Sequence, residues 1–166
     1  MRKPLLAVML PMLLGALSLC TVSLAAGPVS LSKRDGPYKL VLELLPAEPF
    51  LNHTEMQAGK PGMIWIAGAP PDRLDAPNDP NHHLIVHVLN AQTGKAIAGA
   101  QVRMSYERLG VPGATVHRLP VVEMQKNGHG AASTHYGNNV HLAAGRYRVS
   151  VQVNGGRKVT FIVRTS

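Results

Sequence analysis

Hydrophobic and polar residues alternate along several short stretches and almost nowhere recur at helical spacing. Ala100, Val102, Met104 and Tyr106 alternate with Gln101, Arg103, Ser105 and Glu107, and Tyr147, Val149, Val151 and Val153 with Arg146, Arg148, Ser150 and Gln152. A period of two sends one set to a buried sheet face and the other to solvent, so both stretches are predicted strands. Over 82–89 (HHLIVHVL), Leu84, Val86 and Val88 share one face while His83, Ile85, His87 and Leu89 share the other. Further strands are predicted at 38–45, at 62–67 (a buried one, with Trp65), at 115–124 bent by Pro120, and through Val159, Phe161 and Val163. Asn154-Gly155-Gly156 is a hairpin turn. The Pro- and Asp-rich 69–81 and the Gly, Asn and His-rich 127–139 read as loops. Seven or eight short, evenly spaced strands without an amphipathic helix predict an all-β, Ig-like antiparallel β-sandwich over 37–166. Val102, Met104, Tyr106, Tyr147, Val149, Val151, Phe161 and Val163 are expected to be buried on its facing sheets.

The N-terminus has another logic. Arg2 and Lys3 precede an apolar run from Leu5 to Leu24, and Ser23-Leu24-Ala25 supplies the small residues of a cleavage site. Residues 1–25 therefore read as a secretory signal peptide, with 26–36 a flexible polar leader. A membrane anchor or lipid attachment at Cys20 are the rival readings. Cleavage leaves 15 basic against 9 acidic residues, a charge of +6, in a chain with no cysteine. That excludes a disulfide framework and any thiolate metal site. The expected location is periplasmic.

The basic residues form no run and no aromatic-interleaved stripe in the sequence, so nucleic acid is not an expected partner; an anionic membrane or wall surface attracts through charge alone. No G-x-S-x-G, H-E-x-x-H or Gly-rich phosphate loop is present, and no enzyme activity is expected.

Eight histidines are many for 166 residues. Met124, His129 and His135 lie close in sequence, and thioether sulfur with imidazole is a donor mix suited to copper. His83 and His87 share a strand face but stand roughly 13 Å apart by strand rise, so a second element must complete any site they join. The glycine-bearing 124–135 segment is the candidate, with Glu123 or Asn138 available to orient an imidazole through its second nitrogen. Met104, in phase with Val102 and Tyr106, is core, and His117, among polar residues, is an ordinary surface histidine.

Two resemblances sharpen this. Thr93–Tyr106 (TGKAIAGAQVRMSY) resembles the TG-x-P-[IV]-x-G-A-x-V motif of prealbumin-like and carboxypeptidase-regulatory-like sandwiches, with Ala96 in place of the proline. The motif bears on fold and not on function. From about Asn81 to Phe161, a His-bearing strand, then Met124, then HYGNNVHL (His135 to Leu142), then GRYRVSVQV follow in an order similar to the periplasmic Fe²⁺-transport-associated metal-binding proteins, the Tpd family. That resemblance implies a secreted Ig-like sandwich binding copper, or iron in a related site, beside an inner-membrane permease. It implies Met124 and His135 as ligands and His83 as the early-strand ligand; His129, an extra histidine in a loop several residues longer than that family's, and His87 are further candidates on the residues alone. Ile85 stands where that family carries an acidic residue. The expected cofactor is copper, alternatively iron; the expected partner is an inner-membrane metal permease or exporter, with a homodimer also open. The competing expectation is a non-catalytic Ig-like interaction module of the envelope, its histidines incidental. Imidazole ligands are expected to release metal below about pH 6.

Overall fold

A computed structural model describes residues 28–71 and 79–166. Residues 1–25, read as a signal peptide, and most of the Pro/Asp-rich loop lie outside the described residues. Ten strands follow in chain order: β1 (Val29–Asp35), β2 (Tyr38–Pro46), β3 (Met63–Gly68), β4 (His82–Asn90), β5 (Val102–Leu109), β6 (His117–Leu119), β7 (Val122–Lys126), β8 (His135–Val140), β9 (Gly145–Val153) and β10 (Lys158–Thr165). They form two antiparallel sheets, a six-stranded one in the order β1-β2-β4-β8-β7-β3 and a four-stranded one in the order β10-β9-β5-β6. The expected all-β sandwich is what the chain adopts.

The core is the space between the sheets. Leu40, Leu42 and Leu44 of β2, Leu84, Val86 and Val88 of β4, and Tyr136 and Val140 of β8 line one side. Met104, Tyr147, Val149, Val151, Phe161 and Val163 line the other. Each fully buried aliphatic side chain contributes about 1.5–3 kcal/mol. The alternating residues expected on facing sheets therefore belong to a single sheet, since β5, β9 and β10 are neighbours. Their opposing layer comes from β2, β4 and β8. Val102 and Tyr106 are only partly buried.

Several local expectations are corrected. Val29–Asp35 is a strand and not a leader: it pairs along its whole length with β2, turning at Gly36 with φ +56°, and packs Val29 and Leu31 against the core. The 62–67 strand forms but is buried only at its start, around Met63; the rest is a sheet edge, with Trp65 52% exposed. Pro120 divides the 115–124 stretch into two strands belonging to different sheets, because proline supplies no N–H to continue a ladder. A one-turn helix, α1 (His53–Gln57), forms on a capping box between Asn52 and Glu55.

The largest departure is at 135–140. HYGNNV reads as loop by composition, yet it is β8, bonded to β4 on one side and β7 on the other and buried at every position. Gly137 explains how: a Cβ there would lie 2.0 Å from the Leu84 carbonyl oxygen and 2.8 Å from Ile85 Cα. Only glycine lets β8 approach β4 this closely.

Candidate metal centre

The outer face of the six-stranded sheet carries the histidines. Pairing registers place Glu43, Ile85, Gly137 and Val122 in one transverse row, and Leu45, His83 and Asn139 in a parallel one. Two residues along from Gly137, His135 pairs with Met124, which pairs with Trp65. These residues share one face because directly opposed residues in an antiparallel ladder point the same way. Ile85, Val122, Met124 and Met63 form a small apolar cluster on it, joined by Leu45 and Phe50.

His83 and His135 lean toward one another across this face. Their ring centroids are 5.9 Å apart at an interplanar angle of 87°. The His135 ring also lies 5.3 Å from that of His87, so it bridges two histidines that the strand rise alone keeps apart. Between them in register, Gly137 adds no side chain of its own. His83 is fully buried and His135 is 3% exposed, while Phe50, from the segment before α1, closes over His83 at 6.3 Å.

The protonation state of both rings follows from their partners. The Asn139 side-chain amide donates to the Glu48 carbonyl at 2.8 Å, which fixes its orientation, and its Oδ1 accepts from the Glu48 N–H at 3.2 Å. That same Oδ1 lies 2.9 Å from His83 Nδ1, so Nδ1 carries the proton and donates. His135 Nδ1 sits 2.6 Å from the Ser133 carbonyl, which can only accept, so it too is protonated. Both Nε2 atoms therefore present lone pairs, and both are buried with no hydrogen-bond partner among the described residues. Burial pushes the pKa of each ring down to about 4, outweighing the opposing hydrogen bonds to Asn139 and Ser133. Two neutral imidazoles, each oriented through Nδ1 and offering a bare Nε2, are what a soft or borderline metal ion requires.

Glu123 and Asn138, expected to orient an imidazole, do other work. Glu123 accepts from the Gly99 N–H, and the Asn138 amide donates to the Pro120 carbonyl. Asn138 points to the inner side because it alternates with Gly137 and Asn139 along β8. Sequence reasoning missed Asn139, whose one signal was its strand period with His135.

Among the sequence-named residues, the fold brings His83, His135 and His87 into ring contact and sets buried Met124 opposite His135. His129 is exposed on the turn after β7, its backbone N–H bonded to the Lys126 carbonyl. Tyr136 is a core residue whose hydroxyl donates to the Ile97 carbonyl and accepts from the Ala100 N–H. His117 stacks on Tyr106 on the other sheet. One carboxylate not singled out by the sequence reaches the cluster: Glu43 Oε2 lies 3.4 Å from His87 Nε2, both side chains about a quarter exposed. It comes from β2, the strand beside β4. Among the described residues no three His, Cys, Asp or Glu side chains stand ready at metal-binding distance, so the two-histidine pair needs Met124 or a movement of His87 to complete a site.

No family model matches the sequence, and no curated protein sequence does either. Solved structures do match the fold. The copper-reconstituted P19 protein of Campylobacter jejuni aligns with a TM-score of 0.58 at 9% identity, over 85% of this chain and 98% of that one. A copper-bound variant of FetP from uropathogenic Escherichia coli aligns with a TM-score of 0.53 at 11% identity, over 84% and 96% respectively. The chain thus shares the fold of these two proteins, the β-sandwich that the resemblance implies.

Proposed function

We propose that this protein is an exported, non-catalytic periplasmic metal carrier that takes copper at His83, His135 and Met124, with His87 as the fourth donor. The observation that carries the reading is the pair of bare, buried Nε2 atoms, since an unpaired buried nitrogen is costly and is retained where a ligand repays it. Imidazole and thioether without thiolate favour copper, Cu(I) above all. His87 is a better fourth donor than His129 because its ring already touches that of His135. Iron is the weaker alternative cargo. It prefers oxygen donors, and Glu43 is the carboxylate in hydrogen-bond reach of the cluster.

Asn139 and Ser133 hold the protons on Nδ1 and so keep both Nε2 lone pairs turned inward. Phe50 and Ile85 exclude water from the pair. Glu43 draws His87 toward the half-exposed rim, where an arriving ion meets its first donor. Delivery to an inner-membrane permease or exporter is the role this chemistry suits.

Cu(I) titration of the purified protein against a chromophoric chelator tests the reading. One equivalent should bind. His135→Ala should weaken binding at least a hundredfold and His117→Ala should leave it unchanged; equal affinity of the two variants would return the protein to the interaction-module reading.

A further inference from the structure

We propose that the outer face of the four-stranded sheet docks this protein onto a lipid bilayer bearing anionic phospholipid headgroups. The basic residues scattered through the sequence are gathered here by strand pairing. Arg103 of β5, Arg118 of β6, Arg146 and Arg148 of β9, and Lys158 and Arg164 of β10 all point away from the core and are exposed. They alternate with the buried positions of their strands, Arg146, Arg148 and Arg164 being the neighbours of Tyr147, Val149 and Val163. Glu107 is the one carboxylate on these strands, and it is taken by an ion pair with Arg148. The other five cations have no ion-pair partner among the described residues.

The arrangement works against the fold. Arg146 and Arg164 are directly opposed across β9 and β10, and like charges so placed repel. Arg103 and Lys158 flank Gln152 from its two sides, with Arg118 in the next row opposite Ser105. A face that concentrates six basic side chains and one acidic side chain gains its compensation from an external anionic partner.

The shape selects a bilayer. The face is a broad sheet surface about 25 Å long and 15 Å wide, and among the described residues no helix or ribbon protrudes from it to enter a nucleic-acid groove. It carries apolar side chains among the charges: Ile162, 44% exposed, lies directly opposite Arg148, and Val116, 60% exposed, lines a shallow concavity with Arg103, Arg118 and Lys158. Basic heads with interspersed aliphatic groups match the headgroup–acyl boundary. The histidine cluster sits on the outer face of the opposite sheet, so docking leaves it turned away from the membrane.

Vesicle co-sedimentation of the purified protein tests this independently of metal binding. Vesicles with 30% phosphatidylglycerol in phosphatidylcholine should bind the protein at 50 mM salt, and pure phosphatidylcholine should not. Each basic residue near an anionic leaflet strengthens binding about fivefold, so the double variant Arg103→Glu/Arg164→Glu should lose about a hundredfold or more. Its thermal midpoint should not fall, because Arg164→Glu converts a repulsive pair with Arg146 into an attractive one. Lys95→Glu/Lys126→Glu changes the net charge equally but lies on other surfaces and should lose less than tenfold. Equal loss in both double variants would overturn the assignment to this face, because net charge alone would then drive the binding. Failure to bind the anionic vesicles, or tighter binding to duplex DNA or polyglutamate than to them, would overturn the membrane assignment.

Discussion

Replacing His135 by leucine separates a histidine kept for the fold from one kept for a ligand. The native ring buries an Nε2 that nothing satisfies. Such an atom costs about 1–3 kcal/mol, and a leucine of similar volume removes it. The substitution forfeits one hydrogen bond, Nδ1–H to the Ser133 carbonyl, worth about 1 kcal/mol, and Ser133 is only half-buried, so water can replace the donor. The metal-free variant should therefore be as stable as the native protein or more stable by up to about 2 kcal/mol, a rise in thermal midpoint of up to about 8 °C. Urea unfolding at pH 7 and calorimetry, both with chelator present, measure this. Adding copper at a hundredfold excess over its dissociation constant should raise the native stability by about 2.7 kcal/mol and leave His135→Leu unmoved. A loss of 2 kcal/mol or more in the metal-free variant would mean that the imidazole is a structural element and is not kept for a ligand.

Four further outcomes follow from the same geometry. His83 and His135 have folded pKa values near 4, below the unfolded value of about 6.5, so the unfolded chain binds protons first; metal-free stability should be constant above pH 6.5 and fall by about 3 kcal/mol per histidine between pH 6.5 and 4, as acid–urea titrations would show. For the same reason copper should be released near pH 4 and not at the pH 6 expected of an ordinary imidazole, which a pH-dependent competition assay reads directly. Gly137→Ala should cost about 3 kcal/mol or prevent folding, because its Cβ meets backbone atoms of β4 that cannot swing aside; an unchanged urea midpoint would contradict the 2.0 Å approach. His87→Ala should weaken copper binding about tenfold or more while His129→Ala leaves it within twofold, and the reverse order in a chelator competition would make the turn histidine the fourth donor.

Alternation made β4, β5, β9 and β10 legible, because each shows one face to the core and one elsewhere. It failed at β8 for a physical reason: a strand buried on both faces between two neighbours has no polar phase, and Gly137, Asn138 and Asn139 are poor strand formers held by pairing and amide hydrogen bonds. Val29 and Leu31 were too few to mark β1 against its polar remainder. Of the candidate site, His83, His135 and Met124 were visible through their order along the chain. Asn139 and Glu43 were not, since their partners lie 56 and 44 residues away and only strand pairing joins them. The clustering of Arg103, Arg118, Arg146, Lys158 and Arg164 was hidden in the same way.

β4 and β8 are interior strands, each bonded along both edges. The separation of His83 and His135 is therefore set by the stiffness of a whole sheet and not by the slack of two loops. An ion of unsuitable radius would have to stretch or compress a ladder of backbone bonds to reach its preferred bond lengths, whereas one that fits would load almost without deformation. If the proposed site holds a metal, discrimination between ions becomes partly an elastic property, tuned by residues such as Gly137 that set how closely two strands lie without offering a donor.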